Sequence, residues 1–222
     1  MVDFGSFVSK RAIPQMSDSA YIIDQLDLSN TTSKLLAIVA NERGALDACS
    51  HSSLSFLGFP FSISEKYSKN LVVYLSMGFG NPYGEPWNYE IVEKWIDKLS
   101  DLKIQVISLS DTIGTAVPDD IFRIFSNIIP KYTQVEFGAH FHTKPDDWFK
   151  KIDSAYRAGC KRFDGAIQGF GGCPMAKDEL TGNLPTEKLI SYFNSINKKP
   201  NINSLNFESC YNHALRLFND FK

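Results

Sequence analysis

The sequence Gly169-Phe170-Gly171-Gly172-Cys173-Pro174-Met175-Ala176, with Gly182-Asn183-Leu184 close behind it, decides how the rest of this chain is interpreted. Glycine gives the backbone unusual conformational freedom before Cys173, and proline restricts the backbone after it. This combination predicts a loop that presents the Cys173 thiol at its tip and that closes over a bound molecule. Asn183 adds a polar amide shortly after the loop.

A pair of histidines lies upstream, in the sequence Gly138-Ala139-His140-Phe141-His142. His140 and His142 are two positions apart, so both imidazoles point to one face if this segment is a strand. Two histidines on one face at the end of an apolar strand are typical of a metal site, and Asn183 and Cys173 add further donors. The prediction depends on the strand and the loop being neighbours in space.

Composition sets the class of protein. The chain has 222 residues, a mass of 25.0 kDa and 43% hydrophobic residues, which is enough for a sizeable core. Its 23 basic and 25 acidic side chains nearly balance, which gives no reason to expect nucleic acid or an anionic membrane as a partner. The four cysteines show no paired spacing, which favours free thiols in a reducing compartment. Without a membrane-spanning run or a signal-peptide pattern, the expectation is a soluble, cytoplasmic protein.

Apolar runs alternate with amphipathic stretches along most of the chain. The predicted strands are Val2 to Val8, Lys34 to Ala40, Leu54 to Ile63, Leu71 to Phe79, Val106 to Asp111, Val135 to His142 and Arg162 to Ile167. The predicted helices are Met16 to Leu26, Glu42 to Cys49, Tyr89 to Leu102, Pro118 to Ile129, Asp146 to Ala158, Thr186 to Asn194 and Phe207 to Phe221. This alternation favours an α/β fold with a buried parallel sheet. The polar residues gather where strands end, as on the active-site face of a (β/α)8 barrel.

Seven strands are fewer than the eight of a TIM barrel. We therefore predict a single TIM (β/α)8-type domain over residues 1–222 that is incomplete, with its N-terminal strand–helix unit absent. The connection near residues 63–70 is also shorter than the roughly dozen residues of a normal parallel crossover. Either a helix is missing there or the flanking strands are assigned wrongly.

Six motifs occur in a fixed order from Asp3 to about Glu187. They are Ser6-Phe7-Val8-Ser9, Ile13-Pro14-Gln15-Met16, Ser110-Asp111-Thr112-Ile113-Gly114, His140-Phe141-His142, Gly171-Gly172-Cys173-Pro174 and Gly182-Asn183-Leu184-Pro185-Thr186-Glu187. Together they resemble the 3-hydroxy-3-methylglutaryl-CoA lyases of the DRE-TIM metallolyase superfamily. The Gly-Gly-Cys-Pro loop separates these lyases from the related Claisen-type synthases.

The resemblance implies a divalent cation, Mg2+ or Mn2+, held by His140, His142 and Asn183. The cation would bind the carbonyl and hydroxyl oxygens of 3-hydroxy-3-methylglutaryl-CoA, orient the substrate and stabilise oxyanion charge. A base would remove the tertiary hydroxyl proton, and the carbon–carbon bond would break to give acetoacetate and the enolate of acetyl-CoA. The resemblance also implies an acyl-CoA substrate, a homodimer and a role in leucine degradation.

Further residues take roles from the same resemblance. Cys173, on the mobile loop formed by Gly171 and Gly172, would close over the site and take part in proton transfer. Asp111 matches the strand-end aspartate of the family and would shuttle a proton. Glu187 matches a supporting carboxylate near the asparagine ligand. Asp3 occupies the place of an acidic residue on the family's second strand.

Each of these features also has a structural interpretation. The two histidines would then be ordinary polar residues, and Cys173 an inert buried thiol. Asp111 would cap a turn or the following helix. Asn183 after Gly182 would be a turn residue.

One family motif has no counterpart in this sequence. The family's first strand carries Arg-Asp-Gly-Leu-Gln, whose aspartate is a metal ligand and whose arginine polarises the substrate carbonyl. Three explanations stay open: a sequence that is part of a longer enzyme, a start placed too late, or an eroded relative. Three functions also stay open: a 3-hydroxy-3-methylglutaryl-CoA lyase, a lyase or aldolase for another 3-hydroxyacyl-CoA, and a non-catalytic binding module on the same barrel.

Overall fold

The computed structural model describes residues 1–11, 13–59, 70–172 and 181–219. The strands of this part of the chain are β1 (Val2–Phe7), β2 (Leu35–Val39), β3 (Leu54–Phe59), β4 (Asn70–Leu75), β5 (Val106–Asp111), β6 (Glu136–Thr143), β7 (Arg162–Phe163) and β8 (Gly182–Asn183). The α-helices are α1 (Ser19–Gln25), α2 (Glu42–Cys49), α3 (Tyr89–Asp101), α4 (Pro118–Lys131), α5 (Trp148–Arg157), α6 (Thr186–Ser195) and α7 (Ser204–Asn219).

Strands β1 to β7 follow one another in the sheet in chain order. Pairing is parallel between β1 and β2, β2 and β3, β3 and β4, and β6 and β7. Parallel strands in chain order, separated mostly by helices, are the pattern of a TIM barrel. The predicted α/β fold, an incomplete barrel with about seven strands, is therefore confirmed. The short strand β8 pairs antiparallel with β6 and was not predicted.

Residue contacts divide the chain into two compact units. The first unit consists of Met1–Leu75, Lys94–Ser108 and Gln134–Glu136. The second consists of Ser76–Glu93, Leu109–Thr133 and Phe137–Lys222.

The core of the first unit is built on β2, which is buried on both faces. Leu35, Ala37 and Val39 pack in one cluster with residues of α2 and β3, while Leu36 packs with Val72 in another. A strand covered on both sides has no polar face, so its sequence is an uninterrupted apolar run. This explains why β2 could be predicted from its sequence.

The pair β3 and β4 answers the question raised by the short connection. The two strands are parallel neighbours, with Phe56 opposite Asn70 and Gly58 opposite Val72. Both predicted strands therefore exist, and only residues 60–69 separate them. Residues 60–69 lie outside the described part of the chain, as does the predicted end of β3 at Ile63.

Two strands end earlier than predicted. β4 ends at Leu75 rather than Phe79, because Met77 adopts a left-handed backbone conformation with φ of 59°. β7 ends at Phe163 rather than Ile167, and a 3-10 turn over Ile167–Gly169 follows, in which Gln168 has φ of 58°. The left-handed backbone of Met77 cannot continue an extended strand. In β7, only Arg162 and Phe163 pair with β6.

The second unit packs its helices through apolar and aromatic side chains. α4 starts at Pro118, where proline is tolerated, and buries one apolar face made of Ile121, Ile124, Phe125 and Ile128. α5 packs between α4 and α6, and Tyr192 of α6 contacts Tyr156 of α5 ring to ring. Among the described residues, none of the helices is both long and apolar enough to cross a membrane.

Candidate functional site

The pairing of β6 with β8 brings the two predicted halves of the site together in the second unit. His142 lies directly opposite Asn183, and Thr143 lies opposite Gly182. The Leu184 amide donates to the Phe141 carbonyl across 3.1 Å and continues the pairing. Side chains of directly opposed residues project from the same face of the pair. The His142 imidazole and the Asn183 amide are therefore neighbours.

The Asn183 side chain is held from its nitrogen side. Its Nδ2 donates to the Phe170 carbonyl over 2.8 Å, and its backbone amide donates to the Gly171 carbonyl over 3.3 Å. Gly171 has φ of 83°, and a Cβ at this position would lie 2.9 Å from Asn183 Nδ2. Only glycine fits both the backbone angle and this approach. The bond through Nδ2 makes Oδ1 the amide atom that would ligate a cation.

His142 is buried and oriented through its Nδ1 atom. The side chain is 6% exposed, and Nδ1 lies 3.0 Å from the Asp111 carbonyl oxygen, to which it donates. In that tautomer Nε2 carries the lone pair of the ring, the arrangement seen in metal-binding histidines. Burial lowers the pKa of His142, which keeps the imidazole in the neutral form that ligates metals.

His140 is held differently, by a carboxylate. Its Nδ1 lies 3.3 Å from Oδ2 of Asp164, and the side chain is half-buried. A carboxylate behind a histidine fixes the ring and raises the basicity of the opposite nitrogen. The rings of His140 and His142 lie edge to face with centroids 5.4 Å apart.

These three side chains fit a divalent cation. Two imidazoles oriented through Nδ1 and one amide oriented through Nδ2 form a mixed nitrogen and oxygen donor set. Within the described residues, His, Cys, Asp and Glu side chains form no group of three or more that could hold a metal. The proposed donor set is consistent with this, because it contains only two histidines, His140 and His142, and its third member is the amide of Asn183.

Asp111 ends β5 and is fully buried at 1% exposure. Its Oδ1 accepts the backbone amides of Thr115 at 2.9 Å and Ala116 at 3.1 Å, so it caps the turn after β5. Its Oδ2 forms an ion pair with Lys151 at 2.8 Å. Both oxygens are engaged by the protein.

Sequence analysis missed Lys151, as it missed Asp164 behind His140. Lys151 lies in α5 beside the buried Ile152 and one turn before the buried Ala155, and it is itself 2% exposed. A lysine on the apolar face of an amphipathic helix is the signal that could have identified it, because lysine is almost never buried without a partner.

The other predicted residues lie in three different places. Glu187, in the first turn of α6, accepts the backbone amide of the left-handed residue Gln168 at 3.0 Å. Asp3 lies on β1 in the first unit and is exposed. Cys173 lies outside the described residues.

Parallel β/α units with a candidate cation site at a strand end define an α/β protein of the TIM-barrel class. The sequence profile of the HMGL-like family matches residues 73–212, which is more than half of the chain. The chain belongs to this family, and the predicted resemblance is confirmed.

Similar proteins agree with this assignment. The hydroxymethylglutaryl-CoA lyase of Pseudomonas mevalonii is 29% identical over 217 residues, which are 85% of this chain and 70% of the relative. The (R)-citramalyl-CoA lyase of Chloroflexus aurantiacus is 25% identical, over 88% of this chain and 72% of the relative. The structure of an HMG-CoA lyase from Acinetobacter baumannii in complex with coenzyme A and 3-methylmalate matches with a TM-score of 0.79 at 25% identity, over 90% of this chain and 73% of that one. The chain is therefore a lyase-like enzyme.

Proposed function

We propose that this protein cleaves the carbon–carbon bond of 3-hydroxy-3-methylglutaryl-CoA to give acetyl-CoA and acetoacetate, with a divalent cation as cofactor. The observation that carries the proposal is the register of β6 and β8, which sets His142 opposite Asn183. Members of this family generally depend on a divalent metal. We also propose that the protein is a cytoplasmic homodimer and that it acts in leucine degradation.

His140, His142 and Asn183 would hold the cation, Mg2+ or Mn2+. Bound there, the ion would supply Lewis-acid polarisation of the substrate's oxygens. The chain's own contribution is orientation, since each ligating group is fixed through its second polar atom. Preorganised ligands avoid reorganisation during the reaction.

The reaction needs one proton removed and one returned. A base takes the proton of the tertiary hydroxyl, the bond between carbons 2 and 3 breaks, and the electron pair passes to the acetyl-CoA enolate, which is then protonated. We assign the Cys173 thiol to these transfers and Glu187 to support near Asn183. The Asp111 carboxylate is assigned as a proton shuttle, a role that would require its ion pair with Lys151 to open. Gly171 and Gly172 are proposed to allow the loop that carries Cys173 to close, and Asp3 is proposed as a supporting acidic residue.

The test is turnover of 3-hydroxy-3-methylglutaryl-CoA by the purified protein with Mn2+, with acetoacetate and acetyl-CoA quantified separately. We expect equal amounts of both products, loss of turnover with EDTA and recovery with added Mn2+. Turnover that is indifferent to the chelator would overturn the metal assignment.

Cys173→Ala tests the proposed thiol. The variant should lose turnover and keep its circular dichroism spectrum. Cys210→Ala, at an exposed cysteine of α7, is the matched control and should keep turnover. Equal turnover of both variants would remove Cys173 from the mechanism.

A second candidate is cleavage of another 3-hydroxyacyl-CoA, favoured by the similarity to (R)-citramalyl-CoA lyase. The ratio of kcat/KM for citramalyl-CoA and 3-hydroxy-3-methylglutaryl-CoA separates the two. A protein that binds Mn2+ and turns over neither compound would be the binding module.

A separate measurement shows whether the natural protein contains the arginine and aspartate of the family's first strand. Intact mass spectrometry of the protein isolated from its natural source should give a mass several kilodaltons above the 25.0 kDa of this sequence if further residues supply them. A mass of 25.0 kDa would favour the binding module.

A further inference from the structure

A buried lysine holds the His142 end of the candidate site. The Lys151 ammonium donates to Asp111 Oδ2 at 2.8 Å, to the His142 carbonyl at 2.9 Å and to the Gly114 carbonyl at 3.0 Å. Asp147, four residues earlier, lies 3.2 Å away through its Oδ2. A lysine has three N–H donors, and three partners within 3.0 Å use all of them.

The partners of Lys151 belong to separate segments of the second unit. Asp111 ends β5, Gly114 lies in the turn after it, and His142 lies near the end of β6. Lys151 itself is on α5, so one side chain joins a helix, a turn and two strand ends. Because Lys151 is 2% exposed, water does not compete for these bonds.

His142 is thereby fixed at two points. Its backbone carbonyl accepts from Lys151, and its ring Nδ1 donates to the carbonyl of Asp111, whose carboxylate is bound by the same lysine. The Lys151 ammonium therefore fixes the distance between the His142 backbone and Asp111, the residue whose carbonyl orients the His142 ring.

We propose that Lys151 is a positioning residue for the cation site, acting through His142, and this proposal rests on the proposed function for the role of that site. Groups that orient a metal ligand from behind typically contribute about 10–100-fold to metal affinity. Lys151 does so from both sides of one ligand, the backbone and the ring.

The test compares three variants of the full chain with the unaltered protein. Lys151→Met keeps a side chain of similar length and removes the three N–H donors of the ammonium. The double variant Lys151→Met with Asp111→Asn also removes the carboxylate that would be left without its partner, so it keeps the experiment interpretable if the single variant does not fold. Lys150→Met, at the exposed neighbour on α5, is the matched control.

The first measurement is the dissociation constant of Mn2+, determined by electron paramagnetic resonance. We expect the dissociation constant to rise about tenfold or more in both Lys151 variants and to stay within about twofold in the control. If the double variant binds Mn2+ as tightly as the unaltered protein, Lys151 only compensates a charge and the proposal is wrong.

The second measurement needs no metal. In 15N-histidine-labelled protein, His142 should show one tautomer with a slowly exchanging Nδ1 proton, and both Lys151 variants should show faster exchange or a mixture of tautomers. Unchanged His142 signals in a folded Lys151 variant would overturn the proposal. Failure of the unaltered protein to bind Mn2+, with the His142 signals behaving as expected, would reject the metal assignment and keep Lys151 as a positioning residue.

Discussion

The two histidines of β6 are held in opposite ways. His142 is buried, its ring meets a backbone carbonyl at 3.0 Å, and its own carbonyl is bound by Lys151. His140 is half-buried and its ring meets the Asp164 carboxylate at 3.3 Å. A backbone partner in the interior fixes position, while a partly solvated side-chain partner permits adjustment. In the proposed cation site, this difference would make His142 the rigid ligand and His140 the adaptable ligand.

The largest effect should come from removing the rigid ligand. We expect His142→Ala to weaken Mn2+ binding by more than about 100-fold, because loss of a ligand exceeds the loss of a group behind it. His140→Ala should have a smaller effect, because water reaches this half-exposed position. Calorimetric titration of both variants with Mn2+ measures the difference. Equal losses would show that the two histidines are equivalent ligands.

The next largest effect should come from removing Lys151, which supports His142, and it should be a loss of stability of the fold. Lys151→Met leaves the Asp111 carboxylate buried without its ion partner, which costs about 3–5 kcal/mol of the free energy of unfolding. Urea unfolding measures this cost. The exposed Lys150→Met should stay within about 0.5 kcal/mol. A stable Lys151→Met protein would mean that the ion pair is not required for folding.

Removing the support of His140 should have a milder effect. We expect Asp164→Asn to weaken Mn2+ binding by about tenfold, because the amide carries no charge that raises the basicity of His140. Stability should change little, because the amide oxygen still accepts the hydrogen bond from the His140 ring. Asp146→Asn, at an exposed aspartate before α5, is the control. A loss as large as that of His142→Ala would show that His140 is not the adaptable ligand.

The smallest effect should come from the loop that holds Asn183. Gly171→Ala forces a side chain into a left-handed position and against the Asn183 amide, whereas Gly84→Ala has the same backbone requirement with no atom within 4 Å. Both should lose about 1–2 kcal/mol of stability from backbone strain. Only Gly171→Ala should also weaken Mn2+ binding, by a few-fold. Equal Mn2+ affinity in the two variants would separate the loop from the cation site.

The strands and helices could be predicted where local sequence decides the structure. The apolar run of β2, the proline at the start of α4 and the His-x-His strand each carry their own signal. β8 could not be predicted, because two residues have no periodicity and the strand exists only through its pairing with β6. The length of β7 was overestimated because only Arg162 and Phe163 pair with β6, and this pairing is not visible in the local sequence.

The candidate site was predictable as a set of residue types and not as a network. His140, His142 and Asn183 were identified from motifs, and the pairing of β6 with β8 supports their proximity. The place of Lys151 on the apolar face of α5 could have marked it as buried, but its partners lie 9 to 40 positions away and cannot be found from the helical pattern. Its position next to Lys150 makes the pair resemble an ordinary solvated face.

The two-residue pairing of β8 also separates two properties of the site. Asn183 owes its place to the hydrogen bond with Gly171 and to its register with His142. The orientation of its amide is set separately, by the bond from Nδ2 to the Phe170 carbonyl. The position of Asn183 and the direction in which its amide oxygen points can therefore change independently of each other.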